Sequence, residues 1–280
     1  MPEMSAERYW DDPMLAGKYD EEFKGVIGAH VNRAEVDTMI EEFEIKGRPV
    51  LLDAGCGTGR HLIKLPESVR YIGVDTSLPM LQIAKRRAKA QGRSGHFVAC
   101  DITQLPFKNG VFDGVMSTRV LQHITNQGQA VAECARATKI GGQVVILVYN
   151  SLTIHCLWKC FRHSRLAFLL GRMFGLLSGG RSNSLLARIH RNYYNDFNSV
   201  PEMKRLFSKA GIKVHKVKGT DISHIWFVTN FRLATMCERF IPRLLARYFS
   251  LCERVEAKVS ERVPFVYLLD KIVVKGIVNG

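Results

Sequence analysis

The chain has 280 residues, 46% of them apolar and 24% charged, which supports a sizeable core and excludes disorder or a collagen-like repeat as a description of the whole. Forty Lys and Arg against 26 Asp and Glu give a formal net charge of +14. Seven cysteines with no C-x-x-C pair exclude a disulfide scaffold and a metal knuckle, and their odd count, with an acidic N-terminus lacking a leader pattern, points to a reducing cytoplasm.

The charge is uneven. Residues 1–50 carry six basic and twelve acidic side chains, residues 51–150 twelve and six, and residues 151–280 twenty-two and eight. A basic C-terminal half suits phosphates, nucleic acid or an anionic membrane, and equally an ordinary solvated surface. The longest apolar run, Leu166 to Leu177, is twelve residues and contains Arg172, whereas a membrane span needs about 20.

In chain order, residues 1–30 are polar with interspersed aromatics, and residues 31–46 read as an amphipathic helix through Val31, Ala34, Met39, Ile40 and Phe43, ended by Gly47 and Pro49. An alternation follows. Strands are expected at 50–52, 71–74, 97–100, 111–116 and 144–149, and helices at 60–65, 78–91 and 126–139, with a turn at Gly141-Gly142. Apolar strands separated by helices mean a parallel sheet covered on both faces. The rhythm breaks at 151–195, which has seven Lys or Arg and no acid; it resumes in a helix at 200–210 and a strand at 212–218. Residues 220–263 interrupt it as basic amphipathic helix, and 264–278 give the last strand or two. The expected organisation is a cap (1–46), a core (47–150), a basic lid (151–196), a core helix and strand (197–219), a second helical insertion (220–263) and the closing strands (264–280).

The most informative stretch is Val50-Leu51-Leu52-Asp53-Ala54-Gly55-Cys56-Gly57-Thr58-Gly59-Arg60. A strand ends in an acid, and a G-x-G-x-G turn opens behind it, at the crevice where doubly wound sheets bind ligands. The third glycine comes one residue earlier than in a dinucleotide fingerprint. Asp53 would repel a pyrophosphate but suits a ligand with an amino group and a positive sulfur. Asp75 follows 22 residues later at the end of the second strand, where an acid holds a ribose diol. Asp101 and Ile102 end the third, where an acid-apolar pair can accept from an adenine amine and pack on its ring. Each acid alone could be a solvated strand end; three at successive strand ends face one edge of the sheet.

These segments, with YIGVDTSLPML (71–81), VACDITQLPF (98–107), FDGVMSTRVLQHI (112–124) and GGQVVILVY (141–149), resemble the class I S-adenosylmethionine-dependent methyltransferases, in a subgroup that includes quinone, small-molecule and wobble-uridine tRNA methyltransferases. The resemblance implies a Rossmann-like, doubly wound, mostly parallel α/β sheet of seven strands, with an N-terminal cap and C-terminal helical insertions. It implies S-adenosylmethionine as cofactor, S-adenosylhomocysteine as product, and no metal. By the same resemblance Asp53, Gly55, Cys56 and Gly57 surround the methionine part, and Gly59 allows close helix packing. Asp75 holds the ribose, Thr76, Met80, Asp101 and Ile102 line the adenine, Ser117 closes the methionine end, and Tyr19 lies in a segment folded over the cofactor.

His123, beyond the fourth strand, is the candidate general base, with a structural histidine as the alternative. Arg119 on the same loop is a candidate for orienting substrate, or a surface arginine. Trp158 belongs to an expected amphipathic lid at 152–177 that meets a lipid-like substrate or an anionic membrane, or simply packs on the core. Cys156 and Cys160, with His155 and His163, read as a helix-face pair more readily than as a zinc site. The expected acceptor is a small hydrophobic or lipid-like molecule, O- or C-methylated, at a membrane surface; transfer RNA, or a non-catalytic cofactor-binding role beside a partner enzyme, are the alternatives.

Overall fold

The computed structural model describes residues 10–151, 197–221 and 240–280, except 268. The expected lid, with Trp158 and the Cys156/Cys160 group, lies outside these residues.

Seven strands form one sheet: β1 (Val50–Ala54), β2 (Arg70–Asp75), β3 (His96–Ala99), β4 (Phe112–Thr118), β5 (Thr138–Tyr149), β6 (Ile212–Thr220) and β7 (Lys271–Val278). Their spatial order is β3-β2-β1-β4-β5-β7-β6. The first five are parallel to one another, and β7 runs antiparallel to both neighbours. The order reverses between β1 and β4, so the loops leaving those two strands flank the switch-point crevice.

The helices are α1 (Pro13–Tyr19), α2 (Gly25–Glu41), α3 (Leu78–Ala90), α4 (Gln127–Ala137), α5 (Val200–Lys209) and α6 (Pro242–Val259). Local chemistry sets their starts. Ser77 caps α3 by accepting from Met80 N–H, Asn126 caps α4 by accepting from Gln129 N–H, and Ser199 with Glu202 makes a capping box on α5. Adjacent β-strand residues point to opposite faces, so the apolar strands feed two cores. Leu52, Val115, Val144 and Ile146 pack with Val131 and Phe207 on one side. Leu51, Met116, Val145 and Leu147 pack with Met39, Phe43 and Val273 on the other.

Three expectations are corrected, and a fourth is narrowed. The helix placed at 31–46 spans Gly25–Glu41, because Gly28 packs its Cα against the backbone of Glu22 and Phe23 and lets the helix start early. Residues 60–65 form successive turns, closed by His61 C=O accepting from Lys64 and Leu65 N–H, and not a helix. Gly141-Gly142 lies within β5, where the register against β4 jumps between Phe112 and Gly114. Residues 264–278 give one strand, preceded by a 3-10 turn at Phe265–Tyr267.

Candidate active site

The glycine turn is built on β1 and β2. Gly55 and Cys56 N–H both donate to Val74 C=O at 2.8 Å, which pins the turn to β2. Gly57 has φ +51°, and a Cβ there would meet nothing within 4 Å; its open side is where a ligand can press on main chain. Over Gly55 the space is taken, since a Cβ would stand 2.2 Å from a Val120 methyl. Gly59 faces Ala84 of α3, 3.0 Å from where its own Cβ would be.

Asp53 is buried. Its Oδ2 accepts from Tyr71 OH at 2.8 Å and lies 3.0 Å from His61 Nδ1. A carboxylate accepts, so Nδ1 carries a proton, and Nε2 lies 3.2 Å from Thr118 Oγ1. Asp53 Oδ1 is buried with no hydrogen-bond partner. A buried, unsatisfied carboxylate oxygen is costly unless a ligand completes it, and a cationic amine beside the open Gly57 would do so. On that ground the residues present fit S-adenosylmethionine.

Asp75 accepts from Gly57 N–H (2.8 Å) and Ser77 N–H (2.9 Å), while burial pushes its carboxyl up. Beside it Thr76 is exposed and Met80 is buried. Asp101 accepts from Thr103 N–H at 2.7 Å, and Ile102 is in the core below. Cys56 is buried, its thiol pushed well up by burial and by Asp75 and Asp53, so it stays neutral. Ser117 lies inside β4, not past it, and donates to Ala54 C=O at 2.8 Å. His123 sits half-buried on the turn Leu121–His123, its Nε2 3.4 Å from Gln122 Nε2.

Above this edge lies the cap. Ser77 Oγ donates to Trp10 C=O, Thr58 Oγ1 donates to Asp20 at 2.8 Å, and Arg87 pairs with Asp20. Tyr19 packs edge-on against Trp10 and Phe23. Its hydroxyl accepts from Arg119 at 2.8 Å. Arg119 has φ +56°, a region costly to most non-glycine residues. It also donates to Tyr149 OH at 3.0 Å and lies 3.5 Å from Glu35 Oε1. The guanidinium expected to orient substrate is therefore engaged in a buried ion cluster.

Glu35 of α2 is the centre of that cluster, paired with Arg60 (3.0 Å), Arg119 and Lys271 (2.9 Å). Burial alone would push the Glu35 carboxyl up, but Arg119, Lys271 and Arg60 outweigh it and hold the group well below the usual carboxylate range. Lys271, fully buried, also pairs with Asp221 at 2.7 Å. Sequence reading missed His61, Tyr71, Glu35, Arg60, Lys271 and Asp221. Glu35 had a signal: it falls four residues from both Val31 and Met39 on the apolar stripe of α2. Among the described residues no His/Cys/Asp/Glu group could hold a metal ion, and no helix is long and apolar enough to cross a membrane.

Residues 52–146 match the family model described as a methyltransferase domain. The chain is 27% identical over 210 residues to the demethylmenaquinone methyltransferase of Staphylococcus saprophyticus, covering 73% of this chain and 87% of that one. It is 33% identical over 109 residues to a Bos taurus protein named "Probable tRNA methyltransferase 9B", covering 38% of this chain and only 22% of the relative's length. Among solved structures, a Haemonchus contortus phosphoethanolamine N-methyltransferase in complex with S-adenosylhomocysteine superposes with a TM-score of 0.60 at 16% identity, over 98% of this chain and 59% of that one.

Proposed function

From the premise that this chain belongs to the S-adenosylmethionine-dependent methyltransferases, we propose that it methylates a small hydrophobic or lipid-like acceptor on oxygen or carbon, with S-adenosylhomocysteine as the product. The observation that supports the cofactor half is the unpartnered, buried Asp53 Oδ1, on the strand that leads into a glycine turn whose Gly57 is open. S-adenosylmethionine supplies a methyl group already activated by its positive sulfur. The protein's task is alignment, where effective concentrations of about 10⁵ M and above are attainable.

Each residue has a part in that alignment. Asp53 holds the cationic amine, and Tyr71 and His61 keep its carboxylate from rotating. Asp75, fixed by two backbone N–H groups, holds the ribose hydroxyls. Thr76, Met80, Asp101 and Ile102 border the adenine, while Gly55, Cys56 and Ser117 shape the floor of the methionine end. His123, on the loop after β4, takes the proton of the acceptor. Arg119 acts through Tyr19, setting the cap over the cofactor edge.

The acceptor class rests on coverage. Similarity to the demethylmenaquinone methyltransferase extends over 210 residues, well beyond the domain that binds the methyl donor. Similarity to the tRNA methyltransferase stops at 109. The +14 charge of residues 151–280 favours the transfer RNA reading, and steeply salt-sensitive tRNA binding would establish it. The primary test is labelled methyl transfer to fractionated lipid, small-molecule and RNA extracts. His123→Ala should lower turnover about 10²-fold or more with cofactor affinity unchanged. A parallel loss of cofactor affinity would place His123 in the binding shell instead.

A further inference from the structure

The outward face of α6 belongs to none of the roles above. This 18-residue helix packs inward through Leu245 and Phe249, the latter stacked on His30 of α2 at 4.2 Å. Both of its acids are committed on that side of the molecule. Glu253 meets His30 Nδ1 at 3.0 Å, and Glu256 accepts from Thr220 Oγ1 and Asp221 N–H at 2.7 and 2.9 Å.

A second apolar line runs beside the buried one. Leu244, Tyr248, Leu251 and Val255 recur at spacings of four, three and four, and Leu244, Leu251 and Val255 are 60%, 56% and 40% exposed. At about 100° per residue this line lies between the buried face and a third line, about 80° further round, of Arg243, Arg247, Arg254 and Lys258. All four cations are exposed. Phe240 and Ile241, just before the helix, are also 69% and 44% exposed.

An apolar strip bordered on its open side by cations, with the acids turned away, is the pattern of a helix that lies in a lipid interface. Nucleic acid would use the cations but not the leucines. A second copy of the chain, with the same four cations at the same strip, would bring like charges together.

We propose that the Leu244–Val255 strip of α6, with Arg243, Arg247, Arg254 and Lys258, is a docking surface for an anionic membrane. It extends the lipid-like-acceptor reading, but its test needs no turnover. The full chain is sedimented with vesicles of phosphatidylcholine containing phosphatidylserine, and with pure phosphatidylcholine. Binding should favour the anionic vesicles and weaken as salt rises. Arg247→Gln plus Arg254→Gln should lower binding about 25-fold, some fivefold per charge. Leu244→Ser plus Leu251→Ser should lower it at least tenfold, with the melting temperature held. Lys213→Gln on the edge strand β6 should change it little.

Three results would overturn the proposal: no sedimentation of the parent chain at low salt, undiminished binding by both α6 doubles, or a dimer in light scattering that the leucine double dissolves without vesicles. Binding that persists while no lipid extract is methylated would overturn the acceptor reading and leave the docking surface standing.

Discussion

Two buried carboxylates, Asp53 and Glu35, are treated differently. Asp53 gives one oxygen to Tyr71 and His61 and keeps the other unpaired. Glu35 is ringed by Arg60, Arg119 and Lys271. Burying a carboxylate costs several kcal/mol unless charge or hydrogen bonds offset it. At Glu35 three cations offset the charge, although Oε1 meets Arg119 and Lys271 as ion pairs and not as well-aligned hydrogen bonds; the group ties α2 of the cap to the loops after β1 and β4 and to the start of β7. At Asp53 no Lys or Arg stands beside the carboxylate among the described residues, and in the proposed function a bound cationic amine would complete it.

This contrast yields graded expectations. Glu35→Ala leaves three buried cations facing one another and should cost about 3–5 kcal/mol of stability, read by denaturant unfolding. Because the folded pKa of Glu35 is depressed, its contribution is complete above its ordinary value of 4.5 and is lost as the pH falls further. The parent chain should therefore lose stability in acid more steeply than Glu35→Ala. An equal acid sensitivity would show that the cations do not converge on Glu35.

On the receptor side, Asp75→Ala removes a charged acceptor from the expected ribose position. It should weaken S-adenosylmethionine binding about 100-fold in calorimetry, with a smaller effect on melting. If a nicotinamide dinucleotide bound in its place, the assignment of the glycine turn would fail. The smallest effect separates the two regions most finely. Gly57→Ala has space for its methyl but keeps φ +51°, so about 1 kcal/mol of stability should be lost. Cofactor affinity should fall by more than that, since the methyl would occupy the face the ligand needs.

The sequence carried the parallel half of the sheet almost intact, because β1 to β5 are continuous apolar runs bounded by acids, glycines and capped helices. It also carried the glycine turn, since Asp53, Asp75 and Asp101 lie at or just past the C-terminal ends of successive strands, Asp53 one residue inside its own. It did not carry the ion cluster. Glu35, Arg60, Arg119, Asp221 and Lys271 come from five separate segments, and nothing local tells a charge that will be buried and paired from one that will be solvated. Lys271 opens an apolar strand, and it is fully buried with Glu35 and Asp221 converging on it. The turns at 60–65 misled for a related reason. Their apolar residues Leu62 and Leu65 are core, as a buried helix face would also be, while Arg60 and His61 bond two different carboxylates.

The position of β7 sets an order of events in the life of the chain. It is the last described strand to be synthesised, yet it lies inside the sheet, between β5 and β6. Until residues 271–278 exist, β6 has no neighbour to bond and the row Val144–Val148 presents a bare apolar edge. The parallel core can form while the chain is being made, but the sheet closes only once residues 271–278 have been added. A nascent or shortened chain that stops before Lys271 therefore has two open strand edges, and is a candidate for chaperone capture or aggregation before it is a candidate for catalysis.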